Sequence, residues 1–309
     1  SGQSRVPDNH PSRRESEQPS EHHAQLNGVD LCWFEWQGAA TPDNPTIVMA
    51  HATGFHARCW DQVIRLLPEF HVIAVDFRGH GRSAKPEPPY GWKDFGEDLV
   101  ALVSHLELQD AIGVGHSMGG HSVIYTALHA NRNVFAKMLL VDPVIKVDSS
   151  SAPPGESTTS FVAKRRNYWS STDEFVDHFK EKIPYSLWQE KVLIDYAEYG
   201  LLANPEPVLA DQSDVLQLAC PPVIEAAIYA GAGDSSFGSA LWDINSEVLI
   251  LRAKKAPPES KGGFLYSPTS PELSERFSLG TDVYLEEMTH FIPMQDPILV
   301  AERLRGMLR

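Results

Sequence analysis

The sequence predicts an α/β fold in which a doubly wound, mostly parallel β-sheet is interrupted by an inserted helical segment. Short apolar, β-branched runs alternate with longer stretches whose apolar residues recur at helical spacing, as expected of alternating strands and helices. The runs lack the apolar–polar alternation of half-exposed strands, so they fit strands that are buried on both faces. One long segment, residues 149–245, breaks the alternation.

The predicted core occupies residues 25–148 and 246–309. It opens with Leu26-Asn-Gly-Val29, whose Asn-Gly pair is typical of a two-residue β-hairpin turn. Further strands are predicted at residues 30–36, 46–51, 71–77, 112–114, 134–141, 247–252 and 281–285. Helices are predicted at residues 60–67, 94–108, 122–130 and 296–308, the last with Asp296 as its cap and Pro297 in its first turn.

Two segments differ from this core in composition. Residues 1–24 contain three prolines and no aromatic residue, so we predict a disordered tail that cannot bury enough apolar surface to fold. The pair His22-His23 is interpreted as part of that composition and not as a metal site. Residues 149–245 show helical patterns, strongest at 185–202, and no strand-like run, which predicts a helical cap inserted between two strands.

Composition excludes several classes of protein and partner. With 309 residues, 42% of them hydrophobic, the chain can bury a sizeable core. Its 26 basic and 41 acidic side chains give a net charge of −15, which argues against a nucleic-acid partner because phosphate binding needs a basic surface. No apolar run of about 18 residues is present, so no membrane span is predicted. The three cysteines, far apart and odd in number, predict no disulfide framework and a reducing, cytoplasmic location.

A strand-to-helix turn at Gly115-His116-Ser117-Met118-Gly119 carries the chemistry on which the functional prediction depends. Its Gly-x-Ser-x-Gly spacing is that of a nucleophile elbow, in which a serine takes a strained backbone conformation between a strand and a helix. The two glycines remove side chains that would collide there. The Ser117 hydroxyl would then project above the sheet at a helix N-terminus, where the amides favour developing negative charge.

Four motifs together give the chain a clear resemblance to the α/β-hydrolase superfamily, specifically to its members with a helical cap. In the family's order they are His51-Ala-Thr-Gly-Phe-His56, Asp76-Phe-Arg-Gly-His-Gly-Arg-Ser83, the elbow, and Thr289-His290-Phe291. The resemblance covers nearly everything from Leu26 onward and implies the α/β-hydrolase fold. In the cap, Arg165-Arg-Asn-Tyr-Trp169 and Cys220-Pro-Pro-Val-Ile-Glu-Ala-Ala227 are similar to segments of hydrolases linked to toxin and secondary-metabolite pathways.

The resemblance implies a role for each motif. Ser117 matches the nucleophile, and His290, which follows the last predicted strand, matches the general base that accepts the serine proton. Thr53 matches the family's oxyanion residue, although the usual His-Gly before it is His51-Ala52 in this chain. The backbone amides of Thr53 and Met118 would stabilise the tetrahedral oxyanion.

The acid of the triad departs from the commoner pattern. Most relatives place it after the strand that corresponds to residues 248–251, where this chain has Ala256. The alternative known in the fold is the end of the preceding strand, where Asp142 follows Val141 and keeps the order nucleophile, acid, histidine. Asp142 is therefore the predicted acid, and Glu259, in the proline-flanked stretch after the later strand, is its rival.

The resemblance implies a serine hydrolase that cleaves an ester, lactone or thioester of a mostly apolar small molecule, with no cofactor or metal ion. Two alternatives stay open: hydrolysis of a carbon–carbon bond by the same triad, and a small-molecule receptor that signals by moving its cap. Serine at the elbow disfavours dehalogenase or epoxide hydrolase chemistry, which uses aspartate there. The cap's aromatic residues either line an apolar pocket or fill the cap's own core. The predicted substrate contacts are Phe55, His121, Trp169 and Trp188.

Overall fold

The structure, a computed structural model, describes residues 17–38, 40–130, 133–148, 161–203, 215–233, 235–260 and 263–309. Most of the predicted tail and two parts of the predicted cap, residues 149–160 and 204–214, lie outside the described residues. Every predicted site residue lies within them.

Strands and helices alternate along the core as the sequence predicts. The strands are β1 (Ser20–Leu26), β2 (Val29–Trp36), β3 (Ile47–Ala50), β4 (Val72–Asp76), β5 (Ala111–His116), β6 (Phe135–Val141), β7 (Tyr168–Trp169), β8 (Leu201–Ala203), β9 (Leu216–Leu218), β10 (Glu247–Arg252) and β11 (Gly280–Tyr284). The helices are α1 (Asp61–Ile64), α2 (Trp92–His105), α3 (Met118–His129), α4 (Thr172–Phe179), α5 (Glu190–Gly200), α6 (Pro222–Ala230), α7 (Ile292–Gln295) and α8 (Pro297–Met307).

Eight strands of the described chain form one sheet in the order β1-β2-β4-β3-β5-β6-β10-β11. β2 is antiparallel to β1 and β4, and all the later neighbours pair in parallel. Parallel neighbours need crossover connections, which place helices on both faces of the sheet. The doubly wound, mostly parallel sheet predicted from the sequence is therefore confirmed.

Apolar side chains pack the helices onto both faces of this sheet. On one face α2 and α3 contribute Phe95, Leu99 and Val123 to the core, and on the other α1 and α8 contribute Ile64 and Leu304. Every residue of β3, β4 and β5 is buried, which explains why these strands appear in the sequence as unbroken apolar runs. The carboxyl ends of β5 and β6 meet at one edge of the sheet, where ligand sites of such folds lie.

The predicted boundary of the disordered tail at residue 24 is wrong, because Ser20–Leu26 forms the edge strand β1. β1 pairs with β2 along its whole length around the turn at Asn27 and Gly28, whose φ angles are +51° and +79°. Ala24 and Leu26 pack against the core. The rest of β1 is polar, so its order depends on backbone pairing with β2, which composition does not reveal.

The described residues between β6 and β10 contain α4, α5, α6 and a small antiparallel sheet in the order β7-β9-β8. The expectation that this segment lacks strands is wrong, because its strands of two or three residues are too short to show a period of two. Aromatic side chains of this segment, among them Trp169, Phe175 and Trp188, form an apolar cluster together with core residues such as Phe291. The segment between β6 and β10 is called the cap below. None of the helices in the described ranges is long and apolar enough to cross a membrane.

Candidate active site

Ser117 occupies the sharp turn between β5 and α3. Its φ of +58° and ψ of −117° are strained for a residue with a side chain. A Cβ atom on Gly115 would lie 2.4 Å from the carbonyl oxygen of Gly119, and one on Gly119 would lie 2.1 Å from the carbonyl oxygen of Ala50. Both glycines of the motif are therefore required by close backbone contacts, as the sequence pattern predicts.

Ser117, His290 and Asp142 form a continuous hydrogen-bonded chain. His290 Nε2 lies 2.9 Å from Ser117 Oγ, and its Nδ1 donates to Asp142 Oδ2 at 2.5 Å. His290 lies on the loop between β11 and α7, and Asp142 directly follows β6. Glu259, the rival acid, is exposed on the loop after β10. The structure thus brings together the three residues predicted as nucleophile, base and acid.

Asp142 is fully buried, and three donors bind Oδ1, the carboxylate oxygen that does not face His290. Asp142 Oδ1 accepts the Ala253 amide at 2.9 Å, the Ser267 hydroxyl at 2.5 Å and the Thr269 hydroxyl at 3.1 Å. Burial alone would raise the pKa of Asp142, but the hydrogen bond and charge of His290, followed by the Ser267 and Ala253 bonds, hold that pKa below its usual value. The carboxylate is therefore ionised at neutral pH.

The two residues predicted as oxyanion donors, Thr53 and Met118, lie together beside the hydrogen-bonded residues Ser117, His290 and Asp142. Thr53 Oγ1 donates to Met118 Sδ at 3.3 Å, and both residues are buried. The Ala52–Thr53 peptide is oriented by His51, whose Nδ1 donates to the Ala52 carbonyl at 2.8 Å while its Nε2 accepts the Phe77 amide at 3.0 Å. Because the carbonyl and amide of a trans peptide point in opposite directions, this bond directs the Thr53 N–H away from His51.

His80 fixes the next peptide of the same loop. Its Nε2 accepts the Gly54 amide at 2.9 Å, and its Nδ1 donates to the Arg78 carbonyl at 2.9 Å. Burial lowers the pKa of His80 to about 4 and lowers the pKa of His51 well below its usual range. Both rings are therefore neutral at pH 7, and each uses one nitrogen as donor and the other as acceptor.

Replacing His80 with glutamine is expected to make the free energy of unfolding fall less steeply as the pH is lowered below about 6.5. An unfolded histidine titrates near 6.5, whereas the pKa of folded His80 is about 4, so between these values only the unfolded chain takes up the proton. The contribution of neutral His80 to the free energy of unfolding is therefore fully present above about pH 6.5. It falls by about 1.4 kcal/mol per pH unit from there towards pH 4.

Urea unfolding at pH 7, 6 and 5 measures this effect as a slope against pH. Between pH 6 and 5 the slope for His80→Gln should be smaller than that of the wild type by slightly less than about 1.4 kcal/mol per pH unit, and between pH 7 and 6 the difference should be about half as large. His105→Gln, at the exposed end of α2, is the matched control. Identical slopes for the wild type and His80→Gln would contradict the neutral, buried state assigned to His80.

A cavity of about 750 Å³ opens beside Ser117 and His290. Its wall is largely apolar and aromatic and includes Phe55, Trp92, Ile145, Tyr229, Phe264 and Phe291. Lys146 and Asp148 add one charge of each sign to the lining. A volume of this size suits a small organic ligand that is buried over most of its surface.

The structure corrects the predicted set of substrate contacts. Phe55 lines the cavity, but His121, Trp169 and Trp188 do not. His121 packs between Trp92 and Phe237, with ring centroids 5.3 and 4.5 Å away.

The two tryptophans serve the packing of the cap. Trp169 is 1% exposed and packs against Phe175 in the cap core, while Trp188 contacts the cavity residues Phe55 and Phe291 and is not itself part of the lining.

Sequence reasoning missed several residues at the site and left one undecided. Ser267 and Thr269 reach Asp142 from more than 120 positions downstream (separations 125 and 127), and no local pattern connects them. Phe264 carries no motif either, while Tyr229 belongs to the cap aromatics for which the sequence left pocket lining and cap core as alternatives. Helical periodicity on α6 was the one available signal, but it does not tell which face meets the cavity.

Among the described residues, one group of side chains away from the cavity could hold a metal ion. Ligand atoms of Glu21, His23 and Cys32 lie within 4.8 Å of one another on the β1–β2 hairpin. His23 contacts the carboxylates of Glu21 at 2.8 Å and Asp30 at 3.1 Å. None of these residues lines the cavity, so the group is separate from the candidate active site.

Residues 47–303 match the sequence model of the alpha/beta hydrolase family. The chain belongs to this family. The match spans every strand of the core from β3 onward, the elbow and the loop of His290, and it confirms the resemblance drawn from the motifs.

Relatives within the alpha/beta hydrolase family include several named enzymes. The bifunctional esterase/perhydrolase of Acinetobacter calcoaceticus is 34% identical over 153 residues, which cover 48% of this chain and 54% of the relative. 3-Oxoadipate enol-lactonase 2 of Acinetobacter baylyi is 31% identical over 111 residues, which cover 36% of this chain and 41% of the relative. The chain thus spans about half the length of the curated relatives it matches.

Solved structures share the whole fold at lower identity. The crystal structure of E-2-(acetamidomethylene)succinate hydrolase superposes with a TM-score of 0.69 and 20% identity, covering 93% of this chain and 98% of that one. At this identity the likeness establishes the alpha/beta hydrolase fold alone.

Proposed function

We propose that the protein is a serine hydrolase that cleaves an ester, lactone or thioester of a mostly apolar small molecule through an acyl-enzyme. The observation that carries the proposal is the hydrogen-bonded chain Ser117–His290–Asp142 at the wall of an apolar cavity. The names of the esterase and enol-lactonase relatives support acyl transfer to water as the reaction class.

In the proposed reaction, Ser117 Oγ attacks the carbonyl carbon of the substrate and His290 Nε2 takes up the serine proton. The carbonyl electrons move to oxygen, and the amides of Thr53 and Met118 donate to that oxyanion. Collapse of the intermediate expels the leaving alcohol or thiol, which takes the proton from His290. Water then attacks the acyl-enzyme by the same steps and releases the acid. Asp142 stabilises the imidazolium and holds its tautomer.

The cavity supports an apolar acyl or leaving group. Aromatic and aliphatic side chains form most of its wall, and burial of apolar substrate surface there favours binding by about 25 cal/mol per Å². Cys32, Cys59 and Cys220 are free and buried, which supports a reducing compartment as the place of action.

A series of p-nitrophenyl esters from acetate to decanoate tests the proposal directly. Ser117-dependent turnover that rises with acyl length is the expected result, because longer chains bury more apolar surface in the cavity. Tight binding of an apolar ligand without any turnover would favour a receptor instead of an enzyme. Turnover only of ketone-bearing substrates at a carbon–carbon bond would favour the other alternative.

Ala232→Phe is expected to shorten the range of accepted chains. Ala232 is buried and lines the cavity, so a phenyl group there reduces the space open to the acyl chain. We expect kcat/KM for decanoate to fall by about tenfold or more and that for acetate to stay within about threefold, since the loss of a few buried methylenes costs about 0.8 kcal/mol each. Trp169→Phe, in the cap core, is the control and should leave the chain-length profile unchanged. Equal losses for both esters would contradict this assignment.

A further inference from the structure

Two cap residues, Glu225 and Arg165, take no part in the proposed reaction, yet Glu225 lies against the oxyanion loop (residues 52–56) and Arg165 pairs with Glu225. Glu225 of α6 is 6% exposed, and Arg165 Nη1 donates to its two carboxylate oxygens at 3.2 and 3.3 Å. Burial raises the pKa of Glu225 and the charge of Arg165 opposes that rise, so the guanidinium favours the ionised form.

Glu225 packs directly on the backbone of Gly54. Its Oε1 and Cδ lie 2.7 and 3.0 Å from the point where a Cβ atom on Gly54 would stand. Gly54 has a φ of +86°, which residues with side chains rarely adopt. The cap carboxylate therefore occupies the space that the absent side chain leaves.

The next two residues of the loop also contact the cap. The Phe55 ring lies 5.1 Å from the Tyr196 ring and 5.7 Å from the Trp188 ring. His56 Nε2 donates to the Tyr196 carbonyl of α5 at 3.1 Å. Three consecutive residues thus face the cap, while two neutral histidines hold the same loop from the core.

We propose that the Arg165–Glu225 pair positions the oxyanion loop, so that the Thr53 amide reaches its catalytic geometry only when the cap is seated on Gly54. This inference rests on the proposed function. Neither member of the pair lines the cavity, so both act through the loop. Arg165 has a second effect, because an unpaired buried carboxylate would oppose the negative charge that develops at the Thr53 amide.

Kinetics on p-nitrophenyl acetate test the proposal with an acyl group that is too small to fill the cavity. Glu225→Ala should lower kcat by about 10- to 100-fold and leave KM within about threefold of the wild-type value. This loss is smaller than that expected when an oxyanion donor is removed outright, because the Thr53 amide is displaced and not deleted. Glu225→Gln keeps the packing on Gly54 and should lose less than about fivefold. Arg165→Gln leaves the buried carboxylate unpaired and should lose more than Glu225→Gln.

A trifluoromethyl ketone inhibitor separates positioning from general damage. Ser117 Oγ adds to its carbonyl carbon, His290 takes up the serine proton, and the carbonyl oxygen becomes an alkoxide between the two amides. Its inhibition constant should rise in Glu225→Ala by the factor by which kcat/KM falls. The matching methyl ketone, which binds without forming the alkoxide, should bind within about threefold of its wild-type affinity.

Glu198→Gln, at an exposed position of α5, is the matched control and should behave as the wild type. A raised KM at unchanged kcat, or wild-type kinetics in all three variants, would overturn the proposal while leaving Ser117-dependent turnover intact. If the wild-type protein shows no Ser117-dependent turnover, the proposed function fails and this inference fails with it.

Discussion

Ser117→Ala is expected to lower kcat/KM for p-nitrophenyl esters by at least about 10⁴-fold, because it removes the atom that forms the acyl bond. The residual rate would come from the oxyanion donors and substrate binding. The free energy of unfolding should change by less than about 1 kcal/mol, since only one hydroxyl is lost and the backbone strain at this position is unaltered. Steady-state kinetics and labelling with a fluorophosphonate probe, which should vanish, measure the effect.

Ser122→Ala supplies the matched control for this experiment. Ser122 lies on α3, the helix that directly follows Ser117, and within the described residues its buried hydroxyl has no hydrogen-bond partner. Its loss should therefore leave both turnover and labelling intact. Persistent labelling of Ser117→Ala would show that the nucleophile is a different residue.

Asp142→Asn is expected to lower kcat by roughly 10² to 10⁴-fold, because an amide at this place favours the wrong tautomer of His290 and no longer stabilises the imidazolium. Asparagine suits the comparison, because the backbone φ of +45° at Asp142 is one that asparagine, like aspartate, adopts more readily than most residues with side chains do. The amide also retains an oxygen for the donors of Ala253, Ser267 and Thr269. The folded structure should therefore survive the change.

Glu259→Gln is the control, since Glu259 is the rival acid from the sequence and lies exposed on the loop after β10. It should stay within about threefold of the wild-type kcat, as expected of a surface change. A large loss in Glu259→Gln with little loss in Asp142→Asn would reverse the assignment of the acid.

The fold and the central residues were predictable because their signals are local. Strands that are buried on both faces leave continuous apolar runs, and the elbow requires its two glycines within five positions. His290 was singled out among thirteen histidines by its place after the last strand and before the last helices. Each of these features depends on neighbours in the sequence.

The features that escaped prediction depend on distant contacts. The edge strand β1 owes its order to pairing with β2, and the hydroxyls of Ser267 and Thr269 meet Asp142 only through the path of a long loop. Aromatic side chains in the cap were visible, but the sequence does not say which of them face inward. Trp169, a predicted substrate contact, packs in the cap core, while Tyr229, for which both alternatives were open, lines the cavity.

The backbone bonds around β6 give the nucleophile and the acid a common rigid frame. The Ser117 amide donates to the Val141 carbonyl at 3.1 Å, and the Asp142 amide donates to the Leu251 carbonyl at 2.7 Å. The separation of the serine from the carboxylate is thereby set by the spacing of adjacent strands, which is nearly constant in β-sheets. His290 comes from the loop between β11 and α7, outside this frame, and its ring is held against the frame by its two hydrogen bonds to Ser117 and Asp142.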